Sequence, residues 1–321
     1  MVVGGKDRED GLVVSTFASR SEYIKKTYDE GDSVIRFFLD KVTLAYTCGL
    51  FNGDNDSIEA AQVRKADHTL NKLNLKRGQT LLDVGYGYGY LPDRASRRFK
   101  VRVLGLNLSL EQVAYAQANY GNNPQLDLRL QGWESFDEPV DAAVSIGSFE
   151  HFGRVNHADF FVKMRKVIKP EGLFLLHTIH FNGEQLMKLK ENDWAEYKNF
   201  LRYTAFIKRK IFQGGELTTP GDILQQADEA GFGVVDVERL VNMEGGSQYI
   251  RTLNEWAKTF EKRRQAVVEK INSEGGTGEE EYRKYFKYLT ESTYWFERDV
   301  IGVSQFLLSA KPFEQSVSTA A

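Results

Sequence analysis

A glycine-rich turn is the first stretch of the sequence whose residue types and spacing indicate chemistry. Residues 82–89 have the sequence LDVGYGYG, after a short apolar run and before a helical stretch. Glycines at such a turn let the backbone bend sharply at the end of a strand and approach a ligand where any Cβ would collide. The turn therefore predicts a nucleotide-like ligand at the carboxyl end of a buried strand. A glycine-rich turn without a ligand is the alternative.

The spacing of the glycines distinguishes between nucleotide ligands. Gly85, Gly87 and Gly89 form a G-x-G-x-G pattern after Asp83, whereas the pyrophosphate loop of dinucleotide folds has the pattern G-x-G-x-x-G. A P-loop is excluded because no G-K-S/T motif follows. S-Adenosylmethionine has no phosphate to bind at a helix N-terminus, and its ammonium group is matched by the carboxylate of Asp83. The pattern favours S-adenosylmethionine as the ligand.

Polar and aromatic residues after the next two strands predict the remaining contacts of this ligand. Asn107 and Gln112 follow the second strand, where ribose hydroxyls usually meet an acid or an amide. Asn107 has an alternative role, because it also fits a helix cap together with Ser109. Trp133 and Glu134 follow the third strand, where an indole can flank adenine and a carboxylate can accept a hydrogen bond from its amine. A surface Trp–Glu pair is the alternative.

From residue 80 onward, short apolar runs alternate with helical stretches, which is typical of a parallel sheet covered on both faces. We predict strands at 80–84, 101–106, 126–130, 142–146 and 173–178, with closing strands at 233–237 and 303–308. We predict helices at 23–39, 57–73, 109–120 and 157–168, and one that begins at residue 92. The predicted fold class is α/β, with a doubly wound, Rossmann-like sheet.

Two segments, at about 182–213 and 252–296, have helical spacing and carry charged residues interleaved with aromatics. We expect them to form a helical cap over a single nucleotide-binding domain at 28–311. Residues 1–27 and 312–321 are expected to be flexible ends.

The composition is that of a soluble globular protein. The chain has 321 residues, of which 41% are hydrophobic and 27% charged, and its net charge of −3 gives no global positive field for nucleic acid. The single cysteine, Cys48, excludes an internal disulfide and any multi-cysteine metal site, and it fits a reducing cytosol. The histidines lack metal spacing with acidic partners, so we predict no metal.

Targeting signals are not evident in the sequence. The N-terminal residues lack the charged-then-apolar pattern of a signal peptide, and no run approaches the ~18 apolar residues that a membrane span requires. We therefore expect a cytoplasmic protein. Peripheral contact of a local basic patch with anionic lipid or a carrier protein stays open.

Two adjoining motifs resemble those of a known family. Residues 132–141 (GWESFDEPVD) and 144–153 (VSIGSFEHFG) are similar to the signature of the cyclopropane-fatty-acid and mycolic-acid cyclopropane synthases, and the similarity extends from about residue 28 to 311. The resemblance implies a class I methyltransferase fold, S-adenosylmethionine as the methyl donor and an unsaturated acyl chain as the acceptor. The chain departs from the family where Tyr86 and Tyr88 replace the usual cysteine and tryptophan of the glycine loop.

The resemblance also implies a set of site residues. In the family, a bicarbonate ion beside the reactive methyl group is thought to be the general base, and the matching positions here are Cys48, Ile146, Glu150, His177 and Tyr249. The cofactor contacts that the motifs imply are Tyr46, Thr47, Gly85, Gly87, Leu108, Gln112, Trp133 and Glu134.

Each residue of the implied base site also has a structural explanation. A lone buried cysteine is usually a small hydrophobe, and His177 at a strand end fits a core imidazole. Glu150 has the helical spacing to pair with Arg154, and Tyr249 fits the role of tying down a loop. We interpret His151 as structural, because adjacent residues on a helix do not face each other.

Methyl transfer to a carbon–carbon double bond leaves a carbocation, which needs π-faces or a carboxylate nearby and a base that removes a proton. Loss of a proton from the new methyl group closes a cyclopropane, and loss elsewhere gives a methyl-branched or methylene product. Candidate shielding aromatics near the cap are Phe206, Phe212, Tyr294 and Phe296, and packing in the core or the lid is the alternative for each of them.

The acyl carrier of such a substrate stays open between phospholipid, carrier protein and coenzyme A. Two other functions also stay open. One is C- or N-methylation of a small hydrophobic metabolite, as in coclaurine-type methyltransferases. The other is an inactive scaffold that binds the cofactor, for which Tyr86 and Tyr88 are the only support.

Overall fold

The computed structural model of the protein describes residues 17–242 and 245–310. A single sheet of seven strands forms its centre. The strands are β1 (Thr80–Val84), β2 (Arg102–Asn107), β3 (Leu126–Leu130), β4 (Val140–Ile146), β5 (Ile168–Phe181), β6 (Gly233–Arg239) and β7 (Ile301–Ser309). Their order across the sheet is β3-β2-β1-β4-β5-β7-β6.

Strands β1 to β5 pair in parallel, and β7 is antiparallel to both of its neighbours, β5 and β6. The chain moves outward from β1 to β3 and then returns to the other side of β1 with β4. This reversal is a topological switch point, and open α/β sheets bind ligands beside the carboxyl ends of the strands at such points. The predicted α/β, doubly wound fold class is confirmed.

Eleven α-helices lie in the described residues. They are α1 (Phe17–Ile35), α2 (Ile58–Lys72), α3 (Tyr90–Phe99), α4 (Leu110–Tyr120), α5 (His157–Val167), α6 (Gly183–Asn192), α7 (Trp194–Phe206), α8 (Pro220–Glu229), α9 (Gln248–Lys262), α10 (Arg264–Ser273) and α11 (Gly278–Glu297). A π-helical turn, Ile207–Ile211, continues α7, and short 3-10 turns occur at Trp133–Ser135, Phe149–His151 and Arg154–Asn156.

The predicted elements are present with shifts of a few residues at their ends. The fifth strand is longer than the predicted 173–178, because it begins at Ile168 and continues to Phe181, where it is still paired with Ile301 of β7. The predicted helix at 23–39 begins at Phe17 and ends at Ile35. Of the expected flexible ends, 1–16 and 312–321 lie outside the described residues, and 17–27 belong to α1.

Two apolar layers hold the sheet between helices. On one face, aromatic side chains such as Phe160, Phe161 and Phe174 form a buried cluster between α5 and the sheet. On the other, Leu81 and Val103 pack with Leu70 of α2. Burial of side chains this large stabilises the fold by roughly 1.5–3 kcal/mol each, which fixes the strand ends that carry the site.

A third apolar cluster holds the segments that were predicted as a cap. Phe38 packs with Trp256 and Phe260 of α9 and with Tyr285 of α11 in this cluster. Helix α9 therefore joins the cap to the chain segment that follows α1. None of the helices in the described parts of the chain combines the length and apolar composition needed to cross a membrane.

Candidate active site

The glycine loop between β1 and α3 has the backbone that its sequence predicts. Gly85, Gly87 and Gly89 all have positive φ, at 87°, 58° and 95°, a region that L side chains rarely adopt. A Cβ at Gly85 would lie 2.6 Å from the Cβ of Ser148, which follows β4. The first glycine therefore lets the loop pack against the end of the neighbouring strand and leaves a cavity above it.

That cavity, here called the cofactor cavity, lies at the carboxyl ends of β1, β2 and β4. Eight of the nine predicted cofactor residues line it. They are Tyr46, Thr47, Asp83, Gly85, Gly87, Leu108, Gln112 and Trp133. The ninth, Glu134, lies next to Trp133 and does not line the cavity. Ile146, predicted for the base site, lines the cavity from the end of β4.

Asp83 has a polar atom available for a ligand in this cavity. Its side chain is 2% exposed, and its Oδ2 accepts no hydrogen bond from the described residues. Burial raises the pKa of Asp83 to about 7, and the nearby Lys65 ammonium opposes the rise. A cationic ligand group beside this carboxylate would restore the stabilisation that it loses by leaving water.

Asn107 and Gln112 form a polar edge of the cavity. Asn107 Nδ2 donates to Gln112 Oε1 at 2.9 Å, and Asn107 Oδ1 accepts from Leu108 N at 2.7 Å. Ser109 caps α4 by accepting from Gln112 N. Asn107 therefore orders the turn before the helix and also lines the cavity, so the two interpretations of this residue do not exclude each other.

Trp133 and Glu134 are not a surface pair. Trp133 is 7% exposed and packs edge-on against Phe160, with Phe152 also in contact. Burial raises the pKa of Glu134 to about 7, and its Oε2 has no hydrogen-bond partner among the described residues. An apolar wall with a nearby carboxylate fits an adenine ring and its amine.

The two tyrosines that depart from the family pattern are packed into the protein. The Tyr88 hydroxyl donates to Asp32 of α1, and its ring meets Tyr115 edge-on. Tyr86 packs in a small cluster with Val113. Both rings line the cofactor cavity, so the replacements leave the cavity intact and add a link from the glycine loop to α1.

A second cavity, of about 530 Å³, adjoins the first and is here called the aromatic cavity. The two share five lining residues, which are Tyr28, Tyr46, Thr47, Gly147 and His151. Its wall is largely apolar and carries eight aromatic side chains, namely Tyr28, Tyr46, Phe181, Tyr203, Phe212, Tyr249, Tyr288 and Phe296. Its size is in the range of small-molecule pockets.

Glu150 contributes a buried acid to the aromatic cavity. Its Oε1 accepts the backbone N–H of Ile179 at 2.7 Å, and its Oε2 has no hydrogen-bond partner among the described residues. Burial raises the pKa of Glu150 to about 7, against the lowering effect of backbone N–H groups and the nearby Thr178 hydroxyl. Arg154 instead pairs with Asp222 at 3.6 Å, so the predicted alternative of a Glu150–Arg154 pair is wrong.

His177 lines the same cavity at the end of β5. Burial lowers its pKa well below the ordinary value, so the imidazole is neutral at pH 7. Its Nδ1 lies 3.4 Å from Gln305 Nε2 on β7, and its Nε2 has no partner among the described residues. One ring nitrogen is therefore oriented by the sheet and the other is left for a ligand.

The two remaining predicted base-site residues, Tyr249 and Cys48, take different positions. Tyr249 lines the aromatic cavity and stacks on Phe296 with ring centroids 4.8 Å apart. Cys48 is fully buried and lines neither cavity. Its thiol donates to Gly49 O at 3.3 Å, and burial raises its pKa to about 12. The structure thus brings Glu150, His177 and Tyr249 to one cavity, with the neutral thiol of Cys48 behind the wall.

Two of the four predicted shielding aromatics face elsewhere. Phe212 and Phe296 line the aromatic cavity. Tyr294 is 38% exposed with the Arg298 guanidinium 4.7 Å above its ring, and Phe206 lies under Lys287 at 4.8 Å. The prediction is therefore wrong for Tyr294 and Phe206, because helical position alone did not show which face of the cap meets the cavity.

His151 and Lys65 are among the lining residues that were assigned no ligand contact from the sequence. His151, interpreted as structural, lies where the cavities meet, and its Nε2 is 2.8 Å from the hydroxyl of Tyr28 on α1. Burial lowers the pKa of His151 to about 4. Lys65 of α2 lines the cofactor cavity from a buried helix face. A lysine on the apolar face of an amphipathic helix was the available signal for the second.

The described residues 17–242 and 245–310 contain no group of three or more His, Cys, Asp or Glu side chains arranged as a metal site. The two joined cavities bring together buried acids, a neutral imidazole and a phenol.

Comparison with known proteins gives consistent matches. Residues 16–306 match the family described as mycolic acid cyclopropane synthetase. The chain is 36% identical over 300 residues to cyclopropane mycolic acid synthase MmaA2 of Mycobacterium tuberculosis, covering 92% of this chain and 100% of that protein. It is also 36% identical over 291 residues to the S-adenosylmethionine-dependent methyltransferase UmaA of the same species, covering 90% of this chain and 97% of UmaA.

Solved structures agree with these sequence matches. Cyclopropane synthase MmaA2 from Mycobacterium tuberculosis superimposes on 90% of this chain and 98% of its own, with a TM-score of 0.81 and 36% identity. Mycolic acid cyclopropane synthase CmaA1, solved in complex with SAH and CTAB, covers the same shares with a TM-score of 0.81 and 35% identity.

Proposed function

This chain belongs to the mycolic acid cyclopropane synthetase family of S-adenosylmethionine-dependent methyltransferases, and from that premise we propose that it methylates a carbon–carbon double bond in an unsaturated acyl chain and closes a cyclopropane ring. The observation that carries the proposal is the junction of the two cavities. One suits a zwitterionic nucleoside, and the other offers an apolar, aromatic passage to the same point.

The cofactor cavity has groups that match the parts of S-adenosylmethionine. The unpartnered Oδ2 of Asp83 suits the ammonium group, and the buried Trp133 indole with Glu134 beside it suits adenine. Gln112 and Asn107 suit the ribose hydroxyls. The cofactor, when bound, supplies an electrophilic methyl group on its sulfonium sulfur.

The aromatic cavity suits a hydrocarbon chain better than a polar metabolite. Its wall is mostly apolar, and Phe181, Phe212 and Phe296 contribute aromatic faces from three different elements. A chain held between such faces presents its double bond to the junction without water, which brings nucleophile and electrophile together and protects a cation from hydrolysis.

Methyl addition to the double bond leaves a positive charge on the neighbouring carbon. The rings of Tyr28 and Tyr46 line both cavities and offer π-faces to that charge. Glu150 offers a carboxylate whose Oε2 has no other partner. Ring closure then requires loss of a proton from the transferred methyl group, and S-adenosylhomocysteine is the other product.

The side chains beside the junction fit a small oxyanion such as bicarbonate, which when bound there would supply the base for this proton. Glu150 Oε2 and His177 Nε2 are polar atoms without partners among the described residues, and the Tyr249 hydroxyl lines the same cavity. His177 and Tyr249 can donate to the anion, while Glu150 can accept from its hydroxyl. Cys48 lies behind this group as a neutral thiol.

The substrate class is tested with purified protein and methyl-labelled S-adenosylmethionine. Unsaturated phospholipid, acyl carrier protein, acyl-coenzyme A and a set of small hydrophobic amines and alkenes are offered separately, and label is followed by mass spectrometry. Label in an acyl chain supports the proposal and identifies the carrier. Label confined to small metabolites would replace it with the alternative of a small-molecule methyltransferase, and cofactor binding without turnover would indicate a scaffold.

The base site is tested by removing the tyrosine hydroxyl and the anion. Tyr249→Phe is expected to lower the turnover rate by roughly 10²-fold. Tyr294→Phe, at a tyrosine that lies outside both cavities, is the matched control and should leave the rate unchanged. Turnover in carbon-dioxide-free buffer should fall and recover with added bicarbonate but not with chloride. Equal rates in both buffers would reject the bicarbonate assignment and leave the methyl transfer standing.

A further inference from the structure

Lys65 is a buried cation in the cofactor cavity. It lies on the inner face of α2, is 4% exposed and lines the cavity. Its Nζ donates to Thr47 Oγ1 at 2.7 Å, and no second hydrogen bond of this ammonium occurs among the described residues. A lysine ammonium has three donors, so two remain for a ligand.

Neighbouring side chains hold the hydrogen-bond partner of Lys65 in place. Gln62, one helical turn earlier on α2, donates through Nε2 to Thr47 O at 2.7 Å and so holds the residue that Lys65 contacts. Asp83 lines the same cavity, and the charges of the two side chains influence each other. Burial of an ammonium is unfavourable unless it is paired, which indicates that an anionic group completes this site.

The charges are confined to one end of the cavity. Lys65 of α2 and Asp83 of β1 are the charged side chains that line the cavity, whereas Leu108 and Trp133, which line it after β2 and β3, carry no charge. A ligand with an ammonium and a carboxylate at one end and a flat ring at the other matches this distribution in one orientation only.

We propose that Lys65 binds the α-carboxylate of the methionine moiety of S-adenosylmethionine, while Asp83 binds its ammonium group. This assignment depends on the proposed function, because it takes the first cavity as the cofactor site. Lys65 and Asp83 then fix the methionine moiety as a pair, and the indole of Trp133 fixes the ring end. The competing explanation is that Lys65 only neutralises the buried acids Asp83 and Asp40.

The two explanations differ in their response to a ligand that lacks the carboxylate. Titration calorimetry on the full chain compares S-adenosylhomocysteine with its decarboxylated analogue, in which an aminopropyl group on the sulfur replaces the amino-acid moiety. Hydrogen bonds to charged groups predict that the wild type binds the analogue roughly 10- to 100-fold more weakly. In Lys65→Met this preference should fall to within about 3-fold.

Lys72→Met is the matched control, because Lys72 is on the same helix but pairs with Glu238 outside the cavity. It should keep the full preference for the carboxylate. If Lys65→Met does not fold, Lys65→Gln replaces it, and the comparison of the two ligands on the wild type remains decisive.

Two results would overturn the assignment of Lys65. One is a wild type that binds both ligands equally, and the other is a Lys65→Met variant that loses affinity for both ligands by the same factor. Absence of S-adenosylhomocysteine binding to the wild type would instead overturn the proposed function, and the Lys65 assignment with it.

Discussion

Replacing Glu150 with glutamine is expected to stabilise the fold at alkaline pH while it strongly lowers turnover. The carboxylate is 7% exposed, and burial raises its pKa from the ordinary 4.5 to about 7. Glutamine keeps the same shape and an oxygen that can still accept the backbone N–H of Ile179, which Oε1 accepts at 2.7 Å. The substitution therefore removes the charge and changes little else.

The direction of the stability change follows from the raised pKa. A carboxyl whose pKa is higher in the folded state favours its neutral form there, so its ionisation destabilises the fold. This penalty is absent below about pH 4.5 and complete above about pH 7. At about 1.4 kcal/mol per tenfold change, the rise in pKa corresponds to about 3 kcal/mol. Glutamine stays neutral throughout.

Urea unfolding, followed by tryptophan fluorescence over a range of pH, measures this effect. The free energy of unfolding of Glu150→Gln should exceed that of the wild type by up to about 3 kcal/mol above pH 7 and match it near pH 4.5. Turnover should fall by roughly 10²- to 10³-fold above pH 7, where the wild-type side chain is ionised, because the carboxylate beside the developing cation is lost.

A variant at an exposed position controls for the chemistry of the substitution. Glu191 is exposed in the last turn of α6, and Glu191→Gln should change neither stability nor turnover. A Glu150→Gln variant that is less stable than the wild type above pH 7, or a stability difference that does not vary with pH, would show that ionisation of buried Glu150 does not destabilise the fold. Full activity of Glu150→Gln would reject its catalytic role.

Three further substitutions test other parts of the account. Asp83→Asn should weaken S-adenosylhomocysteine binding by roughly 10- to 100-fold. In the wild type, the ammonium group of the ligand lowers the raised pKa of Asp83, so binding near pH 6 should release a proton, and this release should be absent in Asp83→Asn. Calorimetry in buffers of different ionisation enthalpy measures both the affinity and the proton release. Tyr88→Phe leaves buried Asp32 without its hydroxyl donor, so the free energy of unfolding in urea should fall by about 1–3 kcal/mol; an unchanged value would show that this contact contributes nothing. Gln305→Leu should lower kcat and leave S-adenosylhomocysteine affinity unchanged if Gln305 orients His177, and a fall in affinity alone would assign it to the cofactor instead.

The glycine loop and the sheet could be predicted because their signals are local. Strand β1 (Thr80–Val84) is a short, largely apolar run, and the turn after it has three alternating glycines with positive φ; both features have few structural explanations. The strand ends then bring residues from distant parts of the sequence to one edge. Six of the eight predicted cofactor residues that line the cavity lie in β1 or after β1, β2 or β3 and meet there for that reason, whereas Tyr46 and Thr47 precede α2.

The sequence predictions that were wrong or missing concern residues whose surroundings depend on how the helices pack against each other. Tyr294 and Phe296 are two residues apart on α11, yet one faces solvent and the other the aromatic cavity. The role of Tyr28 depends on how α1 lies across the cavities and reaches His151, a contact between residues 123 positions apart. No periodicity within a helix specifies which neighbouring element it meets.

The most direct test of the central claim uses S-adenosylmethionine with a trideuterated methyl group and an acyl chain with one double bond. Ring closure requires loss of one hydrogen from the transferred methyl, so the predicted product carries two of the three deuterium atoms and no double bond. Retention of all three deuterium atoms would mean that the proton leaves from another carbon, and the claim of cyclopropane formation would be contradicted. An acyl chain that gains no deuterium while S-adenosylmethionine is consumed would contradict the proposed substrate class itself.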